Sequence, residues 1–228
     1  MAVPAHCRQG RAAMLFATSD THFNHVNIIK YCGRPFTPDE EGAEKCKAFL
    51  LERYRETVGE NDIVIFLGDL AMGGAMRIRD ELPALVHALP GRKIMIRGNH
   101  DGLEPGFYRK LGFSLVLDWL ILGGMFFCHY PLEPADPRYP EGKIALALRE
   151  KFRASGATVL YHGHIHDKEP FHGDGITRIN VSVDYRACDY RPVKVQGDEA
   201  EKEAAKLLDR AMKLRPEKGG LIKEGRLS

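Results

Sequence analysis

Residues 93–101 read KIMIRGNHD. This is an apolar run short enough for a buried strand, then a glycine, then side chains that can bind a metal or move a proton. The arrangement recurs. Leu15–Thr18 leads into Ser19-Asp20-Thr21-His22, and Ile63–Leu67 leads into Gly68-Asp69. Met125–Cys128 leads into His129, and Thr158–Tyr161 leads into His162-Gly163-His164-Ile165-His166. Strand ends of an open α/β sheet are where ligands bind, so residues distant in sequence converge there. Glycines beside the ligands permit sharp turns and close approach.

Between these runs, Glu40–Thr57, Met76–Leu89 and Gly142–Ala154 carry apolar residues at helical spacing. Strands alternating with helices predict an α/β organisation. Further on, Ile176–Val183 alternates like a strand and Pro192–Val195 reads as a short edge. Asp198–Leu214 reads as a helix with Asp198 at its start and Ala204, Leu207, Leu208 and Ala211 on one stripe. No boundary divides this span, so a single domain over residues 14–214 is expected. Residues 1–13 and 215–228 are expected to be flexible termini. Met14 stands directly before the first apolar run, which makes it an alternative start to Met1.

The bulk composition narrows the class. The chain has 228 residues, 44% hydrophobic and 28% charged, with 33 basic against 31 acidic side chains. That is ordinary for a soluble globular protein, and the net charge of +2 does not favour nucleic acid bound through a broad basic face. The five cysteines, Cys7, Cys32, Cys46, Cys128 and Cys188, form no C-x-x-C pair, so a disulfide framework or thiolate zinc knuckle is not expected. No apolar run approaches a membrane span, and the first residues lack the apolar core of a signal peptide. Together these features predict a cytoplasmic protein.

Mixed imidazole and carboxylate ligands suit manganese, iron, zinc or nickel rather than calcium. Two such ions about 3.5–4 Å apart can clamp the attacking and leaving oxygens of a phosphate. Asp69 offers a carboxylate able to bridge two ions, and Asn99 offers a neutral oxygen.

The ordered series Asp20/His22, Gly68-Asp69, Gly98-Asn99-His100-Asp101, His129 and Gly163-His164-Ile165-His166 resembles the calcineurin-like metallophosphoesterase family. The resemblance runs from about Met14 to Val195. It implies a two-sheet αββα sandwich with a dinuclear metal site at the strand C-terminal ends. Asp20, His22 and His166 would hold one ion and Asn99, His129 and His164 the other, with Asp69 bridging. The implied activity is hydrolysis of phosphodiesters or phosphomonoesters by a metal-bridging hydroxide, with two divalent ions, manganese foremost, as cofactors. His100 would face the phosphate as acid or charge stabiliser. Asp69 is followed by Leu-Ala-Met-Gly-Gly, which departs from the D-R-G run of the protein Ser/Thr phosphatases, so that branch is rejected. The segment DTHFNHVNIIKYCGRPF, residues 20–36, is similar to small bacterial and phage members.

Several residues invite competing readings. Arg34 and Arg97 could grip phosphate oxygens or form structural ion pairs. His25 could touch substrate or start a helix. Asp101 reads as a loop orienter or helix cap, and His162 as a core residue or a support for a ligand. Asp184 and Asp189, with Tyr185 and Tyr190, are candidates to support a metal-bound histidine. Cys128 reads as a buried thiol, and His6, His87 and His172 as surface residues. A small phosphorylated molecule is the expected substrate. Its specificity would come from the loops at 24–39 and 133–142. A nuclease would need a basic groove or an added domain, which is not visible. A non-catalytic scaffold would be expected to lose ligands that this chain retains.

Overall fold

In the computed structural model, residues 12–72, 75–133 and 142–213 are described, the side chains of 75–78 excepted. The elements in chain order are β1 (Leu15–Thr18), α1 (Val26–Tyr31), α2 (Glu40–Thr57), β2 (Ile63–Phe66), α3 (Ala75–His87), β3 (Arg92–Ile96) and α4 (Pro105–Lys110). There follow β4 (Phe113–Leu117), β5 (Trp119–Leu122), β6 (Met125–Cys128), α5 (Lys143–Ser155), β7 (Val159–His162), β8 (Thr177–Asn180), β9 (Val193–Lys194) and α6 (Asp198–Lys213).

The strands form two sheets. One has the order β4-β3-β2-β1-β9, the other β5-β6-β7-β8. In the first, β1 to β4 run parallel and only β9 is antiparallel. In the second, β5 and β6 form an antiparallel hairpin through Gly123-Gly124, while β6, β7 and β8 are parallel. Parallel strands covered on both faces need apolar residues at every position, which is why these runs are continuous rather than alternating.

The strand period of two sorts those residues between layers. Leu15, Ala17, Ile63, Ile65, Ile94 and Ile96 face inward, where they meet Leu120, Leu122, Phe127 and Tyr161 of the second sheet. Phe16, Val64, Phe66 and Met95 face outward, into a cluster with Ile28, Ile29, Cys46, Leu50, Tyr54, Leu82 and Tyr108 from α1 to α4. On the far side, Phe126, Cys128 and Leu160 pack against Leu148 and Phe152 of α5. The result is the αββα layering expected from the sequence. Helix α6 closes one side of the sandwich, touching β1, β2, β4 and β5. Its stripe of Ala200, Ala204, Leu207 and Leu208 enters the cluster between the sheets.

Helix ends follow local chemistry. Asp39 caps α2 by accepting from the Gly42 amide at 2.7 Å. Helix α6 begins with Asp198, Glu199 and Glu201 and ends with Arg210 and Lys213, the charge order that its dipole favours.

The structure adds four elements that hydrophobic periodicity does not mark: α1, α4, β4 and β5. The run 176–183 narrows to β8 plus a single bridge from Ser182 to Ser19. The expected flexible termini lie outside the described residues, apart from positions 12 and 13, as does most of the loop at 133–142. Among the described residues no helix is long and apolar enough to cross a membrane.

Leu208 is fully buried in the cluster between the sheets. Leu208→Ala should lower stability by about 2–5 kcal/mol, by lost transfer energy and the cavity left behind. Met212, exposed on the same helix, should change it by less than about 0.5 kcal/mol as Met212→Ala. Chemical denaturation of both variants checks the difference.

Candidate metal centre

The parallel strands β1, β2 and β3 end on one edge, and β6 and β7 end beside them. A backbone joint holds the two sheets together there. The Ser19 amide donates to Val181 O and the Val183 amide to Ser19 O, at 3.0 and 3.1 Å. Ser19 Oγ donates to Leu67 O at 2.7 Å, tying the end of β1 to that of β2. The loops then cross-link. Asp20 N donates to Gly68 O and His22 N to Asp69 O, both at 3.0 Å, and Gly163 N donates to His129 O at 3.0 Å.

These loops bring the seven expected ligands together. His129 Nε2, His164 Nδ1 and Asn99 Oδ1 form a triangle with sides of 2.8, 3.1 and 3.0 Å. His129 Nδ1 lies 2.7 Å from Leu67 O. A carbonyl can only accept, so Nδ1 carries the proton and the Nε2 lone pair points into the triangle. Asp20, His22 and His166 form a second group whose ligand atoms all lie within 4.8 Å of one another. His166 Nδ1 donates to Asp184 Oδ2 at 2.9 Å, which leaves its Nε2 facing Asp20 Oδ1 at 4.0 Å. Asp69 stands between the groups. Its Oδ2 is 3.5 Å from His22 Nε2 and 3.5 Å from His129 Nε2. Its other oxygen accepts from the His100 amide at 2.9 Å.

The donor set fits divalent cations. Both ring nitrogens of His22 are buried without a hydrogen-bond partner, an arrangement costly for an imidazole unless something else satisfies them. Burial, with the nearby charges of His166 and Arg34, pushes the His22 imidazole down to about 2. Partial burial of its ring, with the nearby charge of His129, pushes His164 down to about 4 although the residue is exposed at its edge. Both are therefore neutral, as a ligand must be. Burial opposes a charge on His166, but the hydrogen bonds to Asp184 and Cys32 and the nearby Asp20 carboxylate together outweigh it and lift that imidazole to about 10, so the ring holds a proton that a bound cation would displace. Burial raises the Asp20 carboxyl. Two buried carboxylates and converging lone pairs form a pocket short of positive charge.

Exposure is graded. Asp20, Asp69, His22 and His129 are buried, His166 is intermediate, and Asn99, His100 and His164 are exposed. The His100 ring stands edge-on to His22 with centroids 5.4 Å apart, and its Nε2 lies 4.0 Å from Asp69 Oδ2. The His25 ring also lies beside His22, with centroids 5.4 Å apart. It precedes α1 without capping it through its side chain.

Two arginines expected as substrate grips are otherwise engaged. Arg34 is buried, and its guanidinium holds Asp184 and the carbonyls of Asp20 and Thr21. Of the two roles that the sequence allows it, this geometry favours the structural ion pair. Arg97 forks onto Asp118 in an exposed pair with distances of 3.0 and 2.6 Å, the ion-pair alternative of the two that the sequence allows it.

Asp101 orients the loops, because its carboxylate accepts from the amides of Asp69, Gly98 and Leu70 at 2.7, 2.8 and 3.3 Å. Asp184 supports His166, whereas Asp189 pairs with Arg191. His162 is buried in the core, and the buried Cys128 thiol is pushed up to about 12 by burial. His87 and His172 are exposed, and His6 lies outside the described residues. Sequence reasoning missed Ser19 and the Leu67 carbonyl. Only the serine left a trace, as a small polar residue at a strand end.

The backbone is strained where the expected ligands sit. Asp20, His22, Asp69, His164 and His166 all have left-handed φ, between 45° and 73°, a region that L residues seldom occupy. Gly68, at φ 91°, also approaches closely, since a Cβ there would lie 2.8 Å from His129 Nδ1.

A family model described as Calcineurin-like phosphoesterase matches residues 14–184. An uncharacterized protein of Methanocaldococcus jannaschii is 32% identical over 79% of this chain and 86% of its own length. The gene 66 protein of Mycobacterium phage D29 is 29% identical over 66% of this chain and 77% of its own. Among solved structures, a protein of unknown function from Aquifex aeolicus is 28% identical with a TM-score of 0.61, covering 86% of this chain and 100% of that one.

Gly163 has no room for a side chain, because a Cβ would strike Ser19 and Asp20, whereas Gly102 has open space. Gly163→Ala should destabilise the chain by about 1–3 kcal/mol through overpacking, and Gly102→Ala should leave it nearly unchanged. Equal denaturation midpoints would contradict the close approach of these loops.

Proposed function

This chain belongs to the calcineurin-like phosphoesterase family, and from that premise we propose that it hydrolyses small phosphodiesters or phosphomonoesters with two divalent cations, manganese foremost. The observation that carries this reading is the placement of Asp69 Oδ2 at 3.5 Å from both His22 and His129, between two groups of donors. Asp20, His22 and His166 would hold one ion, Asn99, His129 and His164 the other, and Asp69 both. When bound, such a pair supplies Lewis acidity and a water made nucleophilic at neutral pH.

The chain's own residues do the rest. The Asp184 and Leu67 hydrogen bonds fix the rings of His166 and His129, so that each turns its Nε2 inward. His100 stands at the exposed rim with its backbone anchored to Asp69. Its ring is the proton donor to the leaving oxygen, or the donor that stabilises charge there. His25, whose ring lies 5.4 Å from that of His22, contacts the substrate. The even charge balance of 33 basic and 31 acidic residues favours a small substrate over a polyanion. A cytoplasmic location belongs to the same reading.

Chelation should abolish phosphoesterase activity, and manganese should restore it with close to two ions bound per chain. Full activity in metal-free protein overturns the reading. His100→Ala should keep the metals and lose roughly 10²–10⁴-fold in rate on an ester with a poor leaving group. The loss should shrink for a nitrophenyl ester, whose leaving group needs little protonation. Undiminished turnover of both esters would remove His100 from the mechanism.

A further inference from the structure

Arg34 has no place in the chemistry proposed above, yet it is among the most completely bonded side chains of the described residues. It is 4% exposed. Its Nε donates to Asp184 Oδ1 at 2.7 Å and its Nη2 to Asp184 Oδ2 at 3.0 Å. Nη2 also donates to Asp20 O at 2.9 Å, and Nη1 donates to Thr21 O at 3.1 Å and faces Cys46 Sγ at 3.7 Å. The same Asp184 oxygen that accepts from Nη2 accepts from His166 Nδ1 at 2.9 Å. One planar guanidinium therefore touches the support of His166 and the backbone that carries Asp20 and leads to His22.

We infer that Arg34 and Asp184 are positioning residues for one half of the metal centre, the half made by Asp20, His22 and His166. This rests on the ligand assignment proposed above. Asp184 has a side chain only 1% exposed. Such a carboxylate is held in place by a paired cation and becomes a costly lone charge without it. With the cation present, the carboxylate is fixed in the plane that accepts from His166 Nδ1, and the ring is locked with Nε2 inward. The carbonyls of Asp20 and Thr21 are pinned by the other edge of the guanidinium. That restrains two residues with left-handed backbone, Asp20 at φ 59° and His22 at φ 45°.

The same geometry excludes another role. Cys32, His166 and Asp184 offer three donor atoms within 4.8 Å of one another, a set that could hold a third cation. The guanidinium 2.7 Å from Asp184 already supplies the positive charge there. A lysine can replace it only in part, because a point charge cannot span a carboxylate edge and two carbonyls at once. The other triangle, Asn99, His129 and His164, has no bond to Arg34 or Asp184 and depends instead on Leu67 O.

The test is a manganese titration of the metal-free full chain, followed by calorimetry and by the spectrum of free manganese. Wild type should show two binding events. In Arg34→Met one event should weaken by roughly 10–100-fold, the usual effect of removing a residue that orients a ligand, while the other stays unchanged. Arg34→Lys should fall between. Asp184→Asn should weaken the same event. The double variant should be no worse than the poorer single one, because the two residues act as a unit. Circular dichroism before titration shows whether each variant folds. Should Arg34→Met fail to fold, Asp184→Asn and Arg34→Lys carry the test. Unchanged binding in these variants, or equal weakening of both events, overturns the inference. Wild-type protein that takes up no manganese overturns the ligand assignment itself, a separate and distinguishable result.

Discussion

The joint between Ser19 and the segment after β8 is the constraint on which the site depends. Two sheets packed face to face through apolar side chains alone are free to slide, because dispersion and hydrophobic contact are weakly directional. Two backbone hydrogen bonds, from Ser19 N to Val181 O and from Val183 N to Ser19 O, remove that freedom at one end. One expected ligand and the carboxylate that supports another follow immediately. Asp20 comes one residue after the joint on one side, and Asp184 comes one residue after it on the other. Donor atoms from different sheets are thereby held in fixed register.

The interior of the site is arranged against its own solvation. Carboxylates at 0% and 2% exposure, Asp20 and Asp69, would each be unfavourable alone. Backbone amides offset part of that cost: His164 N donates to Asp20 and His100 N to Asp69. Asp101 does the opposite job. It accepts three amides from the turns around Asp69 and Gly98, and so shapes those turns without entering the centre. The left-handed φ values at five of the expected ligands belong to the same logic. Strain of this kind persists only where surrounding bonds over-determine the conformation, and each of those loops is tied to at least one other.

Much of this was readable in the sequence, for local reasons. A run such as Ile63–Leu67 followed by Gly68-Asp69 announces both a buried strand and the polar group at its end. The repetition of that pattern marks a shared edge. The two-layer sandwich followed from the family resemblance rather than from periodicity. What was not readable is instructive. Phe113–Leu117 and Trp119–Leu122 form nearly one apolar stretch, interrupted by Ser114 and Asp118, yet the chain passes there from one sheet to the other. Helices α1 and α4 are six residues each, too short for a helical period to show. Arg34 beside a ligand motif looked like a phosphate grip. Its true partner, Asp184, lies 150 positions away, and no local pattern reports such a pairing.

Strand alternation in this fold bears on which length changes the chain tolerates. In β1, Leu15 and Ala17 face the neighbouring sheet while Phe16 faces the helices. One inserted residue within that strand would exchange those faces, forcing a phenylalanine where an alanine fits. It would also turn Asp20 away from its partners, since only Ser19 separates the ligand from the strand. Insertions and deletions are therefore confined to the stretches beyond the ligands, such as 35–39 and 168–175, where added chain lengthens a surface loop at small entropic cost. Relatives should differ in length there and keep a constant count of residues from strand to ligand.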